Sequence, residues 1–256
     1  MAWPVENGCV CCRRLLPHSF QNFIMNISSV IFETSAPDLD SCPDGSLPEF
    51  AFIGRSNAGK SSLLNMLSGR QNLARVSTTP GFTKLINIFT VDKTWRLVDL
   101  PGYGFAQVAR MDSAKFNKAV SIYLKHRKNL CCVFALIDSG LTPQPIDLEF
   151  VAWLASNSIP FVLVFTKTDK VSAAVVQVNI AAFTEQIAGW FESPPEIYTC
   201  SAKTKQGRTE LLGMIGASLA LIRDAIPQST DNSPDSSPVP KPEKPRKRRP
   251  DISRPW

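Results

Sequence analysis

Residues 54–61 read Gly-Arg-Ser-Asn-Ala-Gly-Lys-Ser, the pattern G-x-x-x-x-G-K-[ST], between the apolar run Phe50–Ile53 and a segment of helical character. In that strand-to-helix setting the pattern is a phosphate cradle. Gly54 and Gly59 let the backbone turn its N–H groups toward phosphate oxygens. Arg55, Ser56, Asn57 and Ala58 supply the amides between them, and the helix starting near Lys60 adds the positive end of its dipole. Lys60 neutralises the β and γ phosphates, and the Ser61 hydroxyl is the expected ligand of Mg2+.

Three further segments lie where apolar runs end. Asp99, Leu100, Pro101 and Gly102 follow the run Trp95–Val98, about 40 residues past the cradle. A carboxylate there can hold magnesium directly or through water, and the Gly102 N–H can reach a γ phosphate. Thr166, Lys167, Thr168 and Asp169 follow Phe161–Phe165. The Asp169 carboxylate can accept from N1–H and the 2-amino group of guanine. Adenine offers neither donor, and leaving a charged acceptor unpaired discriminates strongly. Lys167 would lie along the base plane. Ser201, Ala202 and Lys203 follow Ile197–Cys200, and their amides can meet guanine O6. Between the cradle and Asp99, the loop Ser77–Thr83 offers hydroxyls for a second magnesium contact, and such a loop can be ordered by a triphosphate and released on hydrolysis.

These segments need a scaffold. From Glu49 onward, strand-length apolar runs alternate with helical candidates at Lys60–Ser68, Ala114–His126, Asp147–Asn157, Ala173–Trp190 and Gly207–Arg223. The runs Leu85–Val91 and Trp95–Val98, three residues apart, predict an antiparallel hairpin. The other runs are near-continuously apolar, as central parallel strands are. In the last helix Leu211, Leu212, Ile215, Leu219 and Ile222 make a buried stripe. The pattern predicts an open α/β sheet, mostly parallel and six-stranded with one antiparallel strand and helices on both faces. Ligands of such a sheet bind beyond the carboxyl ends of its strands.

Composition sets the limits. The chain has 256 residues with 44% apolar and 20% charged residues, enough for a core. No apolar stretch approaches the roughly 18 residues of a membrane helix, so no membrane partner is expected. With only His18 and His126, zinc chemistry built on histidine is excluded. Seven cysteines, two of them in the apolar run at Cys131 and Cys132, read as thiols of a reducing compartment. Cys9, Cys11 and Cys12 lack a second ligand pair at zinc spacing. Of the net charge of +6, half lies in residues 227–256, where seven Lys/Arg and eight prolines predict a disordered cationic arm. That arm is either a solubiliser or a binder of phosphate backbones, RNA being favoured. Residues 1–45 read as an N-terminal extension and lead-in loop. Residues 1–24 are either an organellar targeting peptide or precede the true start at Met25. The folded domain is expected over 46–226.

Taken in order, GRSNAGKSS, TTPGFT, DLPGYGFA, LIDSGLTPQPIDLE, TKTDK and CSAK resemble the EngB (YihA/YsxC) group of TRAFAC-class GTPases, over about residues 46–224. The resemblance implies a Ras-like GTPase fold, binding of GTP and GDP with Mg2+, and a role in assembly of the large ribosomal subunit. It also implies a requirement in cell division and septation. By position it makes Ser61 and Thr83 the magnesium ligands, and Lys60 and Thr83 the groups acting on the reaction. Nucleotide contacts would come from 54–61, from Gly81, Phe82, Thr83, Lys84 and Leu85, and from 99–102, 166–169 and 201–203. The chain departs from the family pattern at Phe82, Lys84 and Gly140. Tyr103 stands where Ras-like enzymes often carry a water-orienting glutamine, so slow hydrolysis is expected. Asn57 either holds K+ or only bonds within its loop. The other readings are a P-loop ATPase or small-molecule kinase, for which T-K-T-D has no use, and a nucleotide-locked RNA-binding scaffold. A cytoplasmic monomer is expected, or a protein of an organelle matrix if residues 1–24 are a targeting peptide.

Overall fold

The structure, a computed structural model, describes residues 25–71, 73, 85–103 and 110–225. Gly81, Phe82, Thr83 and Lys84 lie outside them, as do residues 1–24 and the tail at 227–256. The described residues belong to one compact unit that ends at Ala225.

Seven strands form one sheet: β1 (Val30–Ala36), β2 (Glu49–Gly54), β3 (Ile86–Val91), β4 (Trp95–Asp99), β5 (Leu130–Asp138), β6 (Phe161–Thr166) and β7 (Ile197–Thr199). Their spatial order is β1-β3-β4-β2-β5-β6-β7. The expected hairpin is present, with β3 antiparallel to β4 in the register Val91 to Trp95, and β2 pairs in parallel with both β4 and β5. The sheet has one strand more than the six expected. Val30–Ala36, inside the segment read as a lead-in loop, pairs antiparallel with β3 at the sheet edge. Its register slips between Phe32 and Thr34, and Ile31, Phe32 and Glu33 are exposed. An edge strand covered this incompletely lacks the clean alternation that marks a strand in sequence.

The central strands alternate their side chains between two cores. Phe50 and Phe52 face α1 (Lys60–Ser68) and α5 (Arg208–Ala225), through Leu63, Leu64, Leu67, Leu211, Leu212 and Ile215. Ala51 and Ile53 face α2 (Arg110–His126), α3 (Pro145–Ser156) and α4 (Ala173–Ile187). Phe52 stacks on Phe134, its register partner in β5, at 4.5 Å. This two-sided burial explains the uninterrupted apolar runs. Leu219 and Ile222, the outer part of the α5 stripe, pack on the first core while only partly buried. Cys42 and Cys200 are reduced thiols, and burial pushes the Cys200 thiol up to about 12.

At the amino end of β2 the fully buried Glu49 is held by Arg127 (2.6 Å), Arg96 (3.4 Å) and the Tyr123 hydroxyl (2.6 Å). Burial next to this carboxylate raises the Tyr123 phenol well above its usual range. The carboxyl end of the same strand carries the cradle.

Candidate functional site

The chain leaves β2 at Gly54 with no room for a side chain. A Cβ there would sit 2.7 Å from the Leu136 carbonyl oxygen and 2.8 Å from Leu136 Cβ. The loop then turns through two left-handed residues, Asn57 (φ 67°) and Gly59 (φ 90°), and enters α1 with Gly59 as its N-cap. Left-handed residues of this kind turn successive amides to one side, the shape an anion requires. Asn57 lies exposed on the loop, while Ala58 is buried beneath it. The Lys60 ammonium pairs with the Asp99 carboxylate, which is almost fully buried at the end of β4. Asn87 of β3 lies 3.5 Å from the second oxygen of Asp99. Ser61 follows Lys60 in the first turn of α1, half-buried.

The segment after β4 runs flush along the cradle. Leu100 donates to the Phe52 carbonyl (3.0 Å) and Tyr103 to that of Gly54 (3.2 Å), while the Ser56 N–H donates to Tyr103 (3.2 Å). Gly102 is so close that a Cβ would lie 2.9 Å from the Gly54 carbonyl oxygen, which fixes glycine at this position. Pro101 is buried and Leu100 belongs to the core facing α2, so these two place backbone, not side chains, at the site.

The expected base-binding segment is tied to the cradle by one hydroxyl. Thr166 Oγ1, buried, bonds the carbonyls of Ala58 (2.6 Å) and Ile137 (3.2 Å). Lys167 is left-handed (φ 61°), its stem lies over Gly59, and its ammonium is anchored by Asp138 at 2.7 Å. Thr168 bonds Gln206 through its hydroxyl (3.0 Å). Asp169 is partly exposed and accepts from the buried Ser201 hydroxyl at 2.6 Å, a bond that holds its carboxyl below the usual range. Ser201 accepts in turn from the Thr204 N–H (3.2 Å), and its own N–H bonds the Gln206 carbonyl (3.2 Å). Ser201 therefore orients the carboxylate, and of the three amides expected near O6 its own is engaged within the turn, unlike what was expected of it, while Ala202 and Lys203 follow it. Both lie in the same turn, closed by Gly207 (φ 79°), whose missing Cβ leaves room for the Thr199 carbonyl.

All four described segments thus meet at the carboxyl edge of the sheet. Leu85 is exposed, one residue before β3. Sequence reasoning did not single out Asp138, which anchors Lys167, or Arg208, whose guanidinium bonds the Met66 (2.9 Å) and Leu67 (3.0 Å) carbonyls at the end of α1. Asp138 ends its apolar run as Asp99 ends another, so strand-end position was the signal for it. Arg208 carried none.

The donor chemistry suits a hard divalent cation. Ser61 in the first turn of α1 and Asp99 at the end of β4 are oxygen donors carried on separate elements, and Asp99 pairs with the lysine that would share the phosphate charge. Among the described residues no cluster of three or more His, Cys, Asp or Glu could hold a metal alone, so phosphate oxygens or water would complete the shell. No described helix is long and apolar enough to cross a membrane.

Residues 49–167 match the family model described as "50S ribosome-binding GTPase". A protein of Christiangramia forsetii called "Probable GTP-binding protein EngB" is 47% identical over 192 residues, covering 75% of this chain and 96% of that protein. Its namesake from Bacteroides fragilis is 45% identical over 191 residues, 75% of this chain and 95% of that one. A crystal structure of a probable GTP-binding protein engB superposes with a TM-score of 0.55 at 25% identity, covering 68% of this chain and 99% of that one. Era in complex with MgGDPNP and nucleotides 1506–1542 of 16S ribosomal RNA shares the fold, with a TM-score of 0.52 at 21% identity over 67% of this chain and 56% of that one.

Proposed function

The chain belongs to the EngB family of GTP-binding proteins, with a Ras-like P-loop GTPase fold, and from that premise we propose that it is a slow, Mg2+-dependent GTP-hydrolysing switch. Its setting is large ribosomal subunit assembly, on which normal cell division and septation depend. The observation that carries the reading is Thr166, which bonds the cradle backbone while the next residues present Lys167 and Asp169. That bond ties the segment read as the base end to the loop read as the phosphate end.

The roles are those the family resemblance assigns by position. The amides of 54–61 cradle phosphates, Lys60 stabilises their charge, Asp169 accepts from guanine and Lys167 lies along the ring. Magnesium, held by Ser61 and Thr83, would offset charge on the terminal phosphates. Gly81, Phe82, Lys84 and Leu85 would complete the nucleotide contacts, and Asn57 is the candidate K+ ligand. Turnover compared in potassium and sodium tests that last role, equal rates removing it. The reading of the protein as a cytoplasmic monomer, or one of an organelle matrix, belongs to this proposal too.

Support for the ribosomal setting comes from the description of the matching family model and from the basic residues of 227–256. The test is cosedimentation with large ribosomal subunits, using GDP and a non-hydrolysable GTP analogue, for the full chain and for one ending at 226. Nucleotide-dependent binding that weakens and loses salt dependence without the tail is expected. Binding indifferent to nucleotide removes the switch, and unchanged affinity without the tail makes the tail a solubiliser.

One observation favours the alternative of a nucleotide-locked RNA-binding scaffold. The Tyr103 hydroxyl gives its one proton to Asp147 of α3, so that proton is not offered to an attacking water. Single-turnover phosphate release with and without large subunits separates the two. Release accelerated by subunits supports the switch, and none in either case supports the scaffold.

A further inference from the structure

Asp147 sits in the first turn of α3, 1% exposed, outside the sequence segments read as meeting the nucleotide. It accepts the Tyr103 hydroxyl at 3.0 Å and faces the Arg55 guanidinium at 3.7 Å. Arg55 and Tyr103 are themselves paired through their backbones, in an isolated parallel bridge that extends β2 and β4. The Tyr103 ring stacks on Phe150 of α3 at 4.6 Å. One carboxylate thus grips the side chains of two residues that flank Gly102 and Gly54. Burial pushes the Asp147 carboxyl above the usual carboxylate range, while the tyrosine hydroxyl and the guanidinium favour its ionised form and oppose that rise.

What the grip fixes is backbone. The backbone on both sides of Tyr103 is held to the cradle, by the Tyr103 N–H donating to the Gly54 carbonyl and the Ser56 N–H donating to the Tyr103 carbonyl, both 3.2 Å. Two backbone bonds of that length at the edge of a sheet are readily opened without a side-chain anchor. The buried hydroxyl-to-carboxylate bond and the stacked ring add a side-chain anchor from a separate helix.

We propose that Asp147 is a positioning residue for recognition of a terminal phosphate: through the Tyr103 hydroxyl it holds the Gly102–Tyr103 backbone against the cradle, where the Gly102 N–H meets the γ phosphate of a nucleoside triphosphate. The inference rests on the guanine-nucleotide reading above and adds a residue of α3 to it. Its consequence is selective. GDP has no γ phosphate, so loosening the anchor weakens the triphosphate and leaves the diphosphate as it was.

The test is equilibrium titration of the full chain in magnesium buffer with mant-GMPPNP and mant-GDP. Tyr103→Phe keeps the stacked ring and deletes only the hydroxyl. It should weaken the triphosphate analogue about tenfold, the scale of one hydrogen bond to a charged acceptor, with GDP affinity within about twofold. Asp147→Asn retains an oxygen that can accept from the tyrosine, so it should recover the parent's GMPPNP-to-GDP ratio to within about threefold. Equal losses for both nucleotides, an unchanged ratio in Tyr103→Phe, or a ratio in Asp147→Asn as low as in Tyr103→Phe overturns the inference. A parent protein that binds neither nucleotide overturns the proposed function instead, so the two failures are distinct.

Discussion

Replacing Thr166 by valine removes one hydroxyl and keeps the shape of the side chain. That hydroxyl is buried between the Ala58 carbonyl at 2.6 Å and the Ile137 carbonyl at 3.2 Å. It has a single proton, so the shorter bond dominates, and the substitution leaves a buried acceptor facing a methyl group. The cost of an orphaned buried acceptor is about 1–3 kcal/mol; taking about 2 kcal/mol, a folded unit of this size loses about 4–8 °C in Tm. The same bond joins the base segment to the cradle. GDP and GTP affinities should therefore fall together, by no more than the roughly 30-fold that about 2 kcal/mol allows. Differential scanning fluorimetry without nucleotide and mant-nucleotide titration read the two effects. A Tm within about 1 °C of the parent, or a loss confined to GTP, would refute the reasoning that Thr166 is the tie between the two halves of the site.

Two other predictions concern charge. The Ser201 hydroxyl stabilises the ionised form of Asp169, so its removal in Ser201→Ala lets that pKa rise toward the ordinary value. The carboxylate is the form that accepts from guanine, and binding fades as pH falls through its pKa. Between about pH 7 and about pH 4 the fade should therefore begin at higher pH in Ser201→Ala; superposable mant-GDP profiles would contradict this. Glu49→Gln, at the far end of β2, strips the charge that compensates Arg96 and Arg127. Breaking a buried pair from one side costs about 3 kcal/mol or more, so the Tm should drop by about 6–12 °C. The preference for guanine over adenine should survive, since a six-residue strand puts Glu49 about 16 Å from the cradle. A lost preference would mean that the two ends of the sheet are coupled.

The parts of the site that were legible in the sequence are those carried by contiguous residues. Gly54–Ser61, Asp99–Gly102 and Thr166–Asp169 each announce their chemistry locally, and the apolar run ahead of each says where in an α/β sheet it must lie. What could not be read is the set of partners chosen by the fold. Asp138 meets Lys167 across 29 residues, Asp147 meets Tyr103 across 44, and Arg208 reaches the end of α1 across 141. None of those pairs has a spacing rule, because sheet order and helix packing set the distance. Ser201 illustrates the limit within a motif: its place after β7 was legible, but the burial of its hydroxyl against Asp169 needed the turn closed by Gly207. β1 escaped for a related reason, since its adjacent Ile31 and Phe32, exposed Glu33 and slipped register give no period of two.

The central claim is that Asp169 and the cradle beginning at Gly54 grip opposite ends of one guanine nucleotide. Isothermal titration calorimetry of GDP, ADP and XDP against the parent chain and Asp169→Asn tests it most directly. The parent should bind GDP at least about 100-fold more tightly than ADP. Asparagine offers an amide donor where the carboxylate accepted, so the variant should lose GDP and gain XDP, whose 2-oxo group accepts. Equal affinities for GDP and ADP in the parent, or a variant that binds GDP as the parent does, would contradict the account.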